Sequence, residues 1–194
     1  MATATSSRAL AAVALAAGLA IAGCGGAAAP STSPSPFAWL RPAAAPPGWK
    51  VGTLPSRTAA LAYPPGWRPI RTDPGTFSAA LLGPHGRIRG YLNATPLSGA
   101  ETLANWGSFR PAHNREEGDR NVVRDAWATG LRFRSGVGSC VVDHYVTTTA
   151  ARYREIACIV RGAHGTTVVV AAARPADWAR LSPQLRRAVA ATRT

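Results

Sequence analysis

The stretch SCVVDHYVTTTAARYREIAC, Ser139 to Cys158, decides the fold. Two runs rich in Val, Thr, Ile and Tyr, Val137–Thr149 and Tyr153–Arg161, have β character. Cys140 and Cys158 sit symmetrically about Thr149. An antiparallel hairpin centred there sets the two cysteines opposite each other. Side chains alternate faces along a strand, so Val142 and Ile156 join the cysteines on one face. Tyr145 and Tyr153 then meet on the other, a favourable aromatic cross-strand pair.

The same register sets Asp143 opposite Glu155. Like charges directly across a sheet are unfavourable. Either the register differs, an arginine lies between them, or the pair holds a cation. His144 falls opposite Arg154, a pairing that disfavours imidazolium, and reads as a strand histidine. It is four residues from Cys140, about 13 Å along a strand, too far for proton transfer to a thiol. His85, His113 and His164 fall in expected loops, isolated from one another. No catalytic set, metal site or cofactor is expected.

On either side of this hairpin the chain reads as strands and helices. LAYPPGWRPI gives a short strand, a Pro-Pro-Gly turn and an extended piece, because the residue before a proline avoids helix. Thr76–Leu82 and Arg87–Thr95 form a second hairpin around Gly83–Gly86. Ser98 and Glu101 have capping-box spacing. They predict a helix carrying Leu103, Trp106 and Phe109 or Arg110, ended by Pro111, with a charged loop after it. Val122–Arg134 is β-like, interrupted at Gly130. Thr166–Ala173 is nearly all apolar or small, which suits a strand covered on both faces. Trp178, Leu181, Leu185 and Val189 make a closing amphipathic stripe. Ser182-Pro183 suggests that it divides into two short helices. Strands, helix, strands, helix with short connections predict an α+β fold: an antiparallel sheet flanked by helices.

Ahead of this lies a secretion signal. MATATSSR is a short basic leader, and Ala9–Gly23 is an uncharged apolar run too short to span a bilayer. It ends Ile21-Ala22-Gly23-Cys24, which resembles the lipobox of bacterial lipoproteins. The resemblance implies that Cys24 is lipidated and becomes the mature N-terminus. GGAAAPSTSPSP follows, with linker composition. Residues 1–23 are therefore expected to be the signal, 24–47 the lipidated cysteine and its linker, and 48–194 the globular domain. Phe37, Trp39 and Leu40 interrupt the linker and either dock on the domain or lie in the membrane interface. With Cys24 lipidated, two cysteines remain. An exported protein meets an oxidising compartment, so a Cys140–Cys158 disulfide is expected, stabilising the fold by roughly 3 kcal/mol.

The net charge is +13. Lys50 is the only lysine, so arginine carries nearly all of the basic charge. A GC-rich genome accounts for that bias; so does attraction to anionic lipid, wall polymer or another acidic envelope partner. Nucleic acid does not suit an exported, lipid-anchored domain. RIR, RFR and RYR each set two arginines around an apolar residue. If their strands are neighbours, Arg87, Arg89, Arg132, Arg134, Arg152 and Arg154 form one anion-binding face.

YPPGW, Tyr63 to Trp67, resembles the Tyr-Pro-x-Gly-Trp of PsbP-like domains and related bacterial lipoproteins. YLNATP, GSCVVD and YREIACIV are similar to stretches of uncharacterised actinobacterial lipoproteins. The resemblance implies a PsbP-like α/β/α sandwich and a small binding or accessory domain of the cell envelope, and it brings no catalytic residues. Together these readings predict a non-catalytic module anchored on the extracytoplasmic face of the membrane. Two rivals stand beside it: a carrier holding an apolar ligand between sheet and helices near Trp106 and Trp178, and a cell-envelope hydrolase.

Overall fold

Alternation of apolar residues along the chain builds a seven-stranded sheet, seen in a computed structural model that describes residues 35–194. A short hairpin, β1 (Lys50–Thr53) and β2 (Ala60–Tyr63), precedes it. The sheet comprises β3 (Arg68–Ile70), β4 (Phe77–Leu82), β5 (Ile88–Pro96), β6 (Arg120–Phe133), β7 (Gly136–Val146), β8 (Arg152–Gly162) and β9 (Gly165–Ala173). Their order is β3-β4-β5-β9-β8-β7-β6, antiparallel throughout. Helix α1 (Trp106–Glu116) covers one face and α2 (Pro175–Ala191) the other. This is the expected α+β sandwich.

The central hairpin has the expected register: Cys140 faces Cys158, Val142 faces Ile156, Asp143 faces Glu155 and Tyr145 faces Tyr153. A disulfide joins Cys140 to Cys158, whose Cα atoms are 4.1 Å apart. It lies fully buried on the α2 face with Val142, Ile156, Val160 and Val169. Leu181, Leu185, Ala188 and Val189 of α2 close that core. On the α1 face, Val141, Tyr145, Tyr153, Ala157 and Ile159 pack beneath Trp106. β9 is buried on both sides, as its small apolar composition requires.

Three expectations are corrected. Helix α1 begins at Trp106 and runs through Pro111, whereas the capping signal had placed it between Ser98 and Pro111. Glu101 does accept the Ser98 N–H, at 3.0 Å, but the bond closes a turn ahead of the helix. Proline deprives the carbonyl four residues back of its helical donor. That carbonyl, Gly107 O, accepts the Arg124 guanidinium instead, which removes the main penalty of Pro111. Gly107 is also required for the approach of β6, because a Cβ there would lie 2.8 Å from the Trp127 ring. Helix α2 is continuous through Pro183, its apolar stripe seated on the sheet along its whole length.

The third correction concerns the domain boundary. The compact unit already takes in residues 35–47. Phe37 is 2% exposed within the α2-side core, and Trp39 and Leu40 pack against that core. Residues 35–47 thus dock on the domain despite their linker composition, because three large apolar side chains find a place there. The expected signal and Cys24 lie outside the described residues. Among the described residues, no helix is long and apolar enough to cross a membrane.

Candidate functional site

The α1 face carries a buried polar network that sequence reasoning only half anticipated. Asp143 and Glu155 are both fully buried, side by side. The arginine that separates their charge comes from the helix, not from the strands. Arg110 Nε donates to Glu155 Oε1 at 2.7 Å, and its Nη2 donates to Oε2 at 3.1 Å. Tyr145 donates its hydroxyl to the same Oε2 at 2.9 Å. The single Tyr145 proton is thereby committed, so Tyr91, 2.8 Å away, donates to Tyr145. Asn114, fully buried on α1, reaches Asp143 Oδ2 at 3.4 Å. Leu103, Trp106 and Phe109 fill the core beside this network, so the helical spacing that pointed to them also aimed Arg110 at the sheet.

The electrostatics follow from this crowding. Burial, reinforced by the Glu155 carboxylate opposite, pushes Asp143 up to about 9, so it keeps its proton at neutral pH. Burial works against the Arg110 charge, but Glu155 more than offsets it and holds the guanidinium protonated. Burial and the same carboxylate raise the Tyr91 and Tyr145 hydroxyls well above their ordinary value. Over the network opens a cleft of about 470 Å³, walled by Tyr91, Asn93, Thr95, Phe109, Arg110 and His113. Its groups are hydrogen-bonding and aromatic, fixed in place by bonds made underneath. Such a wall suits a ligand held by polar contacts and ring faces.

The remaining candidates do not converge on this cleft. His144 projects from the opposite face of β7, where its Nδ1 lies 3.0 Å from Asp125 Oδ1. Arg154 Nη2 is 3.0 Å from the other oxygen of Asp125. The hydrolase expectation needed Asp143, Glu155 and His144 together, and strand alternation separates them. Trp106 and Trp178 are also on opposite faces of the sheet, so they cannot wall one apolar pocket. Among the described residues, no cluster of three or more His, Cys, Asp or Glu side chains is placed to hold a metal ion.

The six-arginine surface is corrected as well. The residues between the arginines show the faces: Phe133 points into the α2-side core, whereas Ile88 and Tyr153 point to the α1 side. Arg132 therefore projects on the α1 side, and Arg89, Arg152 and Arg154 on the α2 side, while Arg87 and Arg134 lie just outside their strands. The registers also put RFR at the far end of the sheet from RYR. Arg89 is committed to Asp177, and Arg154 to Asp125. The basic groups that do gather are Arg41, Arg186 and Arg187 around Trp39, which no repeated triplet marks in the sequence.

These features define a class, the PsbP-like α+β sandwich with an antiparallel sheet covered by a helix on each face. CyanoP, the cyanobacterial PsbP of Synechocystis sp. PCC 6803, has a similar fold, with a TM-score of 0.53 over 75% of this chain and 92% of that one, at 9% identity. LpqN, involved in cell envelope biogenesis of Mycobacterium tuberculosis, aligns over 69% of this chain and 81% of its own, at 13% identity and a TM-score of 0.40. PA94 of Pseudomonas aeruginosa, a putative regulator of unknown function, aligns at 10% identity and a TM-score of 0.38, covering 70% of this chain and 89% of that one. No family model and no curated protein matches the sequence. The likeness to CyanoP shows the fold alone.

Proposed function

We propose that the protein is an exported, lipid-anchored accessory module of the cell envelope that binds a partner without transforming it. The single observation that supports this reading most is the Cys140–Cys158 disulfide. It is fully buried at the middle of the sheet and set by strand register. Such a bridge persists in an oxidising compartment and is rare in a reducing one. The signal-like N-terminus and the lipobox resemblance at Cys24 agree with that location. The α1-face cleft is the binding site in this reading. Its ionisable floor is tied into ion pairs and hydrogen bonds, which fixes groups for recognition; no general base is presented to the cleft from Asp143 or Glu155.

The test is metabolic labelling with a radioactive fatty acid. Label should enter the full-length protein and vanish in Cys24→Ala. Intact mass after alkylation should show thiol modification at Cys140 and Cys158 only once the protein has been reduced. An unlabelled wild-type protein with both thiols free would overturn the reading.

A further inference from the structure

The α2 side of the domain presents a surface of different chemistry from the cleft. Trp39 and Trp178 flank a groove of about 330 Å³ whose rim includes Arg154 and Arg186. A second crevice of about 120 Å³ continues from it past Trp39 to Arg41, Arg186 and Arg187. Each tryptophan has an arginine over its ring: Arg186 is 5.5 Å from the Trp39 centroid and Arg154 is 5.1 Å from that of Trp178. Arg41, Arg186 and Arg187 are exposed. The two carboxylates nearest this side are already engaged. Asp125 is held by His144 and Arg154, and Asp177 by Arg89 and Arg180. The exposed acids Glu116 and Glu117 stand at the end of α1, across the sheet. The α2 side therefore carries positive charge in excess, interleaved with amphipathic rings.

We infer that this surface, Trp39 and Trp178 with Arg41, Arg154, Arg186 and Arg187, docks the domain on an anionic phospholipid membrane. Two observations select that occupant. The first is charge complementarity combined with tryptophan, the residue that prefers the boundary between headgroups and acyl chains. The second is where the chain enters. Pro36 lines the groove itself, and only ten residues, Gly25–Pro34, separate it and Ser35 from Cys24. Ten residues span at most about 35 Å and on average roughly 18 Å. A domain anchored at Cys24 thus has this side held next to the bilayer, while the α1-face cleft lies on the opposite side of the sheet. The inference rests on the anchoring proposed above.

The test uses the compact unit, residues 34–194, which lacks Cys24 and so reports on the surface alone. Co-sedimentation is measured with vesicles of pure phosphatidylcholine and with vesicles about one-third phosphatidylglycerol. Binding is expected to the anionic vesicles only, and to fall as salt shortens the screening length. Each arginine near such a surface strengthens binding about fivefold. The exposed double variant Arg186→Glu/Arg187→Glu should therefore lose more than about twentyfold. Arg132→Glu/Arg134→Glu, outside the proposed surface, should lose far less. No binding to anionic vesicles, equal binding to both kinds, or equal losses in the two variants would overturn the inference. A full chain without fatty-acid label whose domain still binds through Arg186 and Arg187 would refute the anchor and keep the surface. A labelled chain whose domain ignores the vesicles would do the reverse.

Discussion

The two faces of one sheet are stabilised by different physics. The core of the α2 face is apolar: the disulfide, Val142, Ile156, Leu181 and Leu185 meet there. The α1 face buries a protonated Asp143, Glu155, Arg110 and two tyrosine hydroxyls in one network. Consecutive residues of β7 and β8 supply both. Cys140, Val142 and His144 go one way, and Val141, Asp143 and Tyr145 the other. A single-residue slip would exchange the two environments entirely. The bridge on one face and the carboxylate–arginine bonds on the other therefore fix the same register twice.

The contrast can be broken most severely at Arg110. Arg110→Ala leaves Glu155 buried without its counter-charge beside Asp143, and removing one partner of a buried pair costs about 3–5 kcal/mol. Thermal or urea unfolding should show that loss, and the double variant Arg110→Met/Glu155→Leu should recover much of it. Next comes the α2 face. Cys140→Ala/Cys158→Ala should cost about 3 kcal/mol, and reducing agent should lower the melting temperature of the wild type but not of that variant.

A third test separates the faces by pH. Asp143 keeps its proton in the fold over a range in which the unfolded chain has lost it, from about 4 to about 9. Stability should therefore decline as pH rises through that window. Asp143→Asn should flatten the decline, as measured by urea midpoints across pH. On the other face the sign reverses. Hydrogen bonding from Arg89 lowers Asp177, so its contribution is present at neutral pH and lost on acidification below the ordinary carboxylate range. The smallest effect should be at Gly107. Arg124→Ala removes the donor to the carbonyl that Pro111 orphans and should cost about 1 kcal/mol. Arg124→Ala combined with Pro111→Ala should cost less, because the helical N–H is restored.

The central hairpin was legible because its pairing is local. Two cysteines equidistant from Thr149 fix a register that no other part of the chain needs to supply. The α2 stripe was legible from its helical period. The remainder depended on contacts distant in sequence. Arg110 is 45 residues from Glu155, and a helical stripe does not disclose which carboxylate it meets. Pro111 and Pro183 look like helix ends until one sees Arg124 at the freed carbonyl of the first and the sheet beneath the second. Phe37 lies in linker composition, and only the α2-side core shows that it is part of the domain. Of the arginine pairs, Arg89, Arg132, Arg152 and Arg154 fall on strands, while Arg87 and Arg134 lie just outside them. Strand order and the bulges of β6 then distributed them over two faces and two ends.

Among the described residues, the strand latest in sequence is the one at the centre of the sheet. β9 lies between β5 and β8, and its Ala171, Ala172 and Ala173 are fully buried. Until it arrives, β3–β5 and β6–β8 are two separate meanders, each with an open edge where β9 will insert. The hairpin that carries the disulfide can close by itself, since its pairing needs no later residue. Joining the halves cannot precede the arrival of β9, Gly165–Ala173, and it forms contacts of high sequence separation, which slow folding. Each molecule therefore passes through an interval with two unprotected strand edges, and those edges are where self-association during folding would begin.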